Sequence, residues 1–128
     1  MIEKEVIVDG ARWVIGDPTT RHLPLAIKVF TDMATKIGDN IDIDNMGEEE
    51  VDKISAMTGA EVLKYMYSDD SIELLYYMIR DKPMNYKWKN IEEYKDSLPS
   101  SVAIELIKTA FEVIGESFST MGGDTRKN

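Results

Sequence analysis

The residues of this sequence that could support catalysis or bind a metal are few and scattered. His22 is the one histidine, and the chain contains no cysteine. A thiolate zinc site and a cysteine nucleophile are therefore excluded, and a Ser-His-Asp triad or a histidine metal site would need His22. His22 follows Arg21 without a second ligand at metal-binding spacing. This pattern favours an ordinary capping or surface histidine.

Residues 40–44 (NIDID) place carboxylates two positions apart, as calcium loops do. An EF-hand loop needs glycine at its sixth position and glutamate at its twelfth. Counted from Asp42, Gly47 satisfies the sixth position but Lys53 occupies the twelfth, and counting from Asn40 satisfies neither. We therefore predict no metal, no cofactor and no catalytic residue, so the protein is expected not to be an enzyme. A hydrolase that uses a carboxylate pair stays open as an alternative, because carboxylates are abundant.

Charge and length restrict the classes of partner. The chain has 128 residues and a formal net charge of −9, which repels nucleic acid and anionic membrane surfaces at long range. No apolar run approaches the roughly 20 residues that cross a bilayer, and the N-terminus lacks the pattern of a signal peptide. We expect one helical domain with an N-terminal hairpin over residues 1–120, a flexible tail over residues 121–128, and a location in the cytoplasm.

The sequence pattern predicts a mainly α fold, which is a compact bundle of four to five amphipathic helices with an N-terminal β-hairpin. These elements must position any functional site. The hairpin is predicted at residues 3–15, because Asp9-Gly10 between β-prone runs favours a type I′ turn. A helix is predicted over residues 23–37 with Gly38 as its C-cap residue. Its expected apolar stripe is Leu23, Ala26, Ile27, Phe30, Met33, Ala34 and Ile37.

Four further helix starts can be read from the middle and end of the chain. A short helix is expected over residues 48–57, and Thr58 has the spacing of a capping box. Asp70 is expected to begin the next helix, and Pro99 lies in the first turn of the last one. The last helix carries the clearest stripe, which predicts burial of Val102, Ala103, Leu106, Ile107, Ala110, Phe111 and Ile114.

Four apolar or aromatic residues are predicted to bind a protein partner. Leu74 and Tyr77 lie off the main stripe of their helix, formed by the apolar residues of 72–79, and would stay accessible after the core forms. Tyr86 and Trp88 belong to the one basic-aromatic cluster of the chain, and such residues are enriched at binding hot spots. The alternative for that cluster, a loop that covers the core, is equally open. Stacking on nucleobases is disfavoured by the net charge.

The order of the elements resembles a known family. The β-prone start, the middle helices and the segment LPSSVAIELI at residues 98–107 are similar to small tail assembly chaperones of long-tailed bacteriophages and prophages. The resemblance covers about the last two thirds of the chain and includes no ligand motif. It implies that the protein binds the tape-measure protein and keeps it soluble in the cytoplasm of an infected or lysogenic bacterium. Other tail proteins and further copies of the chain are open as additional partners.

A second function remains open on the basis of charge. Residues 39–52 carry seven acidic and no basic side chains. An acidic inhibitor that occupies a nucleic-acid-binding groove on a host protein would present such a segment. If the chain is a chaperone instead, apolar helix faces must supply the affinity, because acidic side chains only steer the encounter and keep the complex soluble.

Overall fold

The computed structural model describes residues 2–38 and 46–127, with side chains described up to Thr120. About 63% of the described residues are helical, which confirms the mainly α class with an N-terminal hairpin. The predicted count of four to five helices is too low, since the described residues form six. Their elements are β1 (Glu3–Val8), β2 (Ala11–Gly16), a 3₁₀ turn (Thr20–His22), α1 (Leu23–Ile37), α2 (Glu48–Ser55), α3 (Gly59–Tyr65), α4 (Asp69–Met78), β3 (Ile79–Asp81), α5 (Ile91–Ser97) and α6 (Ser100–Lys127).

The hairpin forms where the turn residues predict it. Asp9 has φ of 52° and Gly10 has φ of 79°, and a type I′ turn requires positive φ at both central positions. Strands β1 and β2 pair antiparallel, and β3 joins β2 on its other side, so the sheet order is β1-β2-β3. Strand β3 was not predicted. It has three residues and follows α4 directly, so no alternating pattern marks it.

Helix α1 has the predicted bounds, and Gly38 ends it with φ of 111° and an N–H that donates to the Ala34 carbonyl at 3.0 Å. The placement of Ile27 on the buried stripe was wrong, because 44% of Ile27 is exposed. Val29 is buried, although it was not among the predicted stripe residues. The buried residues of α1 are Ala26, Val29, Phe30 and Met33.

The caps of α3 and α4 are set by short side chains. The Thr58 hydroxyl accepts from the Glu61 N–H at 3.2 Å, and the Glu61 carboxylate accepts from the Thr58 N–H at 3.0 Å, which confirms the capping box. Helix α4 is capped by Ser68, whose hydroxyl accepts from the Ser71 N–H at 3.0 Å. The predicted start at Asp70 therefore lies one residue inside the helix.

Helix α6 is the element on which the rest of the fold packs. It contacts β1, β2, α1, α2, α3 and α4. The predicted burial of its stripe is confirmed, with Leu106 and Phe111 at most 1% exposed. Phe118 continues the stripe beyond Gly115 and is also buried. The predicted tail at residues 121–128 stays a prediction, because its side chains lie outside the description. The calcium-like segment at residues 40–44 also lies outside the described residues.

Candidate functional site

Leu74, one of the four predicted partner-binding residues, lies in the core. It is 1% exposed, so the expectation that it stays accessible was wrong. The reason is that α4 packs against α1, α5 and α6 at once, which buries more than the single face that the periodicity suggested. The buried residues of α4 are Ser71, Leu74, Leu75 and Met78.

Tyr77 is half-buried and stacks on the His22 ring. The ring centroids are 3.8 Å apart and the planes differ by 13°, so the contact joins α4 to the start of α1. Close by, Arg80 donates to the Tyr77 carbonyl at 2.7 Å and to the Asp17 carbonyl at 2.6 Å. Tyr77 and His22 therefore fasten the loop after β2 to the end of α4. Binding of a partner at Tyr77 stays a prediction.

Tyr86 and Trp88 are half-buried and pack into a continuous set of rings, here called the aromatic cluster. Trp13 lies at its base, 1% exposed, with ring centroids 5.0 Å from Tyr86 and 6.2 Å from Trp88. Both residues thus contribute to packing over the core, which is the covering role that the sequence left open. A role in binding a partner stays a prediction. The members of the aromatic cluster are Trp13, Tyr76, Tyr86, Trp88 and Tyr94.

Polar atoms anchor one side of the aromatic cluster. The Tyr94 hydroxyl donates to the Ile72 carbonyl at 2.7 Å, and burial raises the pKa of Tyr94 above its ordinary value. The Lys82 ammonium lies 5.5 Å from the centre of the Trp88 ring, a cation–π arrangement. The Trp88 Nε1 is buried and has no hydrogen-bond partner among the described residues. One hydrogen bond and one cation–π contact therefore hold this side of the cluster.

An open cavity lies elsewhere, between the base of the hairpin and the last third of α6. We call it the apolar cleft. Its volume is about 290 Å³. Ile114 and Phe118 stand one turn apart on α6 and form one wall, while Leu23 at the start of α1 forms another. The lining residues are Ile2, Asp17, Pro18, Thr20, Leu23, Ile114, Ser117, Phe118 and Thr120.

Ser117 gives the apolar cleft its one buried polar atom without a partner. Its Oγ is buried and makes no hydrogen bond with any described residue. Two threonine hydroxyls of this helix, those of Thr109 and Thr120, donate to the carbonyl four residues earlier at 3.0 Å. The Ser117 hydroxyl makes no such bond, and leaving a buried hydroxyl without a partner carries a free-energy cost.

A second cavity, here called the acidic cleft, shares Ile2 and Thr120 with the apolar cleft. Its volume is about 360 Å³, and its lining residues are Ile2, Glu48, Val51, Asp52, Glu116, Ser119 and Thr120. Glu116 already pairs with Lys4 at 3.2 Å. Glu48 and Asp52 are exposed and form no ion pair with a described residue. The two clefts together place an apolar surface beside an acidic one.

The surroundings of His22 and of the carboxylates bear on catalysis and metal binding. The ring of His22 contacts the Thr19 hydroxyl at 3.4 Å and the Tyr77 ring, and no carboxylate pairs with it among the described residues. Within that part of the chain, no three His, Asp or Glu side chains come together to hold a metal ion. No described helix combines the length and apolar character needed to span a membrane.

Comparison with known proteins adds no relative to this description: no protein family, curated protein or solved structure matches the chain.

The apolar cleft could not be read from the sequence because its walls come from distant segments. Ile2, Leu23 and Phe118 belong to three different elements, which meet only in the folded chain. The one available signal was Phe118, which continues the apolar stripe of the last helix beyond Gly115. An apolar residue at the end of a stripe indicates that its side chain is buried. The sequence does not show whether the residues around it leave a cavity.

Proposed function

We propose that this protein is a tail assembly chaperone of a long-tailed bacteriophage or prophage, which binds the tape-measure protein and keeps it soluble during tail assembly. It would act in the cytoplasm of the infected or lysogenic bacterium, without a cofactor and without catalysis. Other tail proteins and a second copy of the chain are further candidate partners. The proposal rests on the resemblance of residues 98–107 and their neighbours, and on one structural observation, the open apolar cleft.

The apolar cleft supports a client with apolar helical stripes. A helix that docks into a groove contributes side chains from one face, and a cavity of about 290 Å³ accepts such side chains. Fully burying one Leu or Phe side chain stabilises a complex by about 1.5–3 kcal/mol. Ile2, Pro18 and Leu23, which line the cleft and are half-buried, supply the accessible apolar contacts on the chaperone. Affinity of this kind depends little on the client's sequence, which suits a very long client.

The acidic cleft supports the same function in a second way. Glu48 and Asp52 lie beside the docking surface, and a net charge of −9 makes complexes repel one another, which favours solubility. Charges at the rim of an interface change the rate of encounter more than the affinity. We therefore expect salt to slow binding without abolishing it.

Blocking the apolar cleft from its rim tests the proposal. Thr120 is exposed on α6 and lines the cleft, so Thr120→Trp would place an indole in the cavity without disturbing a buried residue. Glu105→Trp is the matched control, because Glu105 is also exposed on α6 but lines neither cleft. Each variant is co-expressed with the tape-measure protein, and the soluble fraction of that protein is measured after both variants are shown to fold by circular dichroism.

The expected result is that the parent and Glu105→Trp keep the tape-measure protein soluble, while Thr120→Trp loses most of the soluble fraction. If the parent gives no gain in soluble tape-measure protein, the proposed function is wrong. If Thr120→Trp works as well as the parent, the client binds elsewhere. Neutralising Glu48 and Glu49 to glutamine serves as a third arm. Loss of binding in that variant alone would favour the acidic inhibitor instead.

A further inference from the structure

Strand β1 has one edge that no described residue pairs with. It is the outer strand in the order β1-β2-β3, and its partner is β2 alone. Unpaired edges offer a row of backbone donors and acceptors to any extended chain that approaches. Natural proteins often shorten or cover such edges, but β1 has six residues, twice the length of β3 at the opposite edge.

The hydrogen-bond register shows which backbone groups of β1 point outward. The Asp17 N–H donates to the Ile2 carbonyl at 3.0 Å, and the register of Glu3 with Gly16 continues to this pair. In an antiparallel ladder, hydrogen-bonded and non-hydrogen-bonded pairs alternate. Lys4, Val6 and Val8 therefore bond to β2. The N–H and C=O groups of Glu3, Glu5 and Ile7 face away from the sheet.

The side chains of the same three residues form the solvent-facing surface of β1. Glu3, Glu5 and Ile7 are all exposed, and Ile7 is 58% exposed, which is high for an isoleucine. Their neighbours Lys4, Val6 and Val8 turn to the other face, where Lys4 pairs with Glu116 of α6 at 3.2 Å. The edge thus presents two carboxylates and one apolar side chain in alternate positions.

Charge alternates across the exposed face of the sheet. Arg12 of β2 donates to Glu5 of β1 and, at 3.0 Å, to Asp81 of β3. From one edge of the sheet to the other, the charged side chains on this face are therefore acidic on β1, basic on β2 and acidic on β3. A fourth strand beside β1 would continue this alternation with a basic residue, since opposite charges on neighbouring strands stabilise a sheet. Glu3 has no ion-pair partner among the described residues, so it offers a second position for a basic residue.

A second copy of this chain fits the β1 edge poorly. Antiparallel pairing of two β1 strands over residues 3–7 sets Glu5 against Glu5 of the other copy, with Glu3 opposite Ile7. Like charges directly opposite each other destabilise a sheet. Each copy also carries a net charge of −9, which opposes association at long range.

We propose that the β1 edge binds an extended segment of a partner protein, which adds a fourth strand with basic residues facing Glu3 and Glu5 and an apolar residue facing Ile7. Backbone hydrogen bonds to the outward groups supply affinity and the alternate side chains supply selectivity, as in other strand-addition complexes. This surface is separate from the apolar cleft, so the inference does not depend on the proposed chaperone function.

Synthetic peptides and amide hydrogen exchange test the inference. The probes are TKTKTIT and its reversed order TITKTKT, which cover parallel and antiparallel pairing, with glutamate in place of lysine in the control peptides. We expect a lysine peptide to slow exchange at the amides of Glu3, Glu5 and Ile7. The glutamate peptides should have no such effect. Absence of slowing with both lysine peptides would overturn the proposal. Slowing that appears when the protein alone is concentrated would assign the edge to a second copy and overturn it too.

Three variants test whether the peptide binds at the β1 edge. Ile7→Pro removes one outward N–H and leaves the bonds to β2 in place, since proline is tolerated at strand edges; it should weaken peptide binding by about tenfold. Glu3→Lys should weaken it by about threefold, and Glu105→Lys, with the same change in net charge, should leave it unchanged. The fold of each variant is checked from its remaining amide shifts. Equal weakening by Glu3→Lys and Glu105→Lys would mean that only net charge matters and would contradict the proposed register.

Discussion

The aromatic cluster consists of Trp and Tyr rings and is closed over by a connecting segment, whereas the apolar cleft is lined by aliphatic and polar side chains with one Phe and is open. The difference lies in the connections beside them. Nine residues join β3 to α5, and this connection lies over Trp13 with Tyr86 and Trp88. Only three residues separate β2 from the 3₁₀ turn, so that connection borders the cleft without covering it. An aromatic segment in a sequence is thus as consistent with a loop that covers the core of its own chain as with a surface that binds a partner.

The largest effect on stability is expected at the base of the closed region. Trp13 is 1% exposed and contacts both rings above it, so Trp13→Ala should lower the free energy of unfolding by about 3–5 kcal/mol. Denaturant unfolding followed by circular dichroism measures the change. Leu23→Ala, at the wall of the open cleft, serves as the comparison and should cost clearly less, because Leu23 is only half-buried. Equal costs would mean that the two regions do not differ in packing.

A smaller effect, with a dependence on pH, is expected at Tyr94. Tyr94→Phe removes the hydrogen bond to the Ile72 carbonyl and should cost about 1 kcal/mol at neutral pH. Burial raises the pKa of Tyr94 above its ordinary 10.0. Above pH 10 the unfolded chain therefore binds fewer protons at this site than the folded chain, and stability falls as pH rises.

Unfolding free energies measured between neutral pH and about pH 11 check the sign of this effect. The parent should lose stability more steeply than Tyr94→Phe over the alkaline part of that range, because the variant has no proton to release at this position. Parallel curves for the two proteins would show that folding does not raise the pKa of Tyr94.

The smallest effect on stability is expected in the apolar cleft, and it is a gain in stability. Ser117→Ala removes a buried hydroxyl that has no partner among the described residues and replaces it with a better helix former. The variant should be more stable than the parent by about 1 kcal/mol. Thermal and denaturant unfolding provide the measurement. A loss of stability would indicate that the hydroxyl has a hydrogen-bond partner in solution, and Ser119→Ala on the same helix controls for helix propensity.

Features that depend on neighbouring residues could be predicted from the sequence. The turn at Asp9 and Gly10, the bounds of α1 and the capping box at Thr58 follow from backbone angles and short-range hydrogen bonds, so a few residues determine each one. The stripe of α6 was also predicted correctly, because a helix with one buried face shows its period directly.

Features that depend on distant residues could not be predicted in this way. Leu74 seemed accessible because the periodicity of α4 predicts one buried face, whereas contacts with three helices bury more of it. Strand β3 depends on pairing with β2, more than sixty residues earlier in the chain. The apolar cleft depends on Ile2, Leu23 and Phe118 meeting in space. Of the four predicted partner-binding residues, none lines either cleft.

The central position of α6 has a consequence for the order in which the protein can fold during synthesis. The hairpin and the five shorter helices leave the ribosome before the helix that most of them pack against. Until residues 100–118 have emerged, Phe30 lacks the Phe111 and Phe118 rings that it contacts in the folded protein. Nascent chains stalled before that segment should therefore be digested readily by protease, and chains stalled well after it should resist. The core thus closes in one late step, and the face of the hairpin that packs on α6 is exposed to other chains until then.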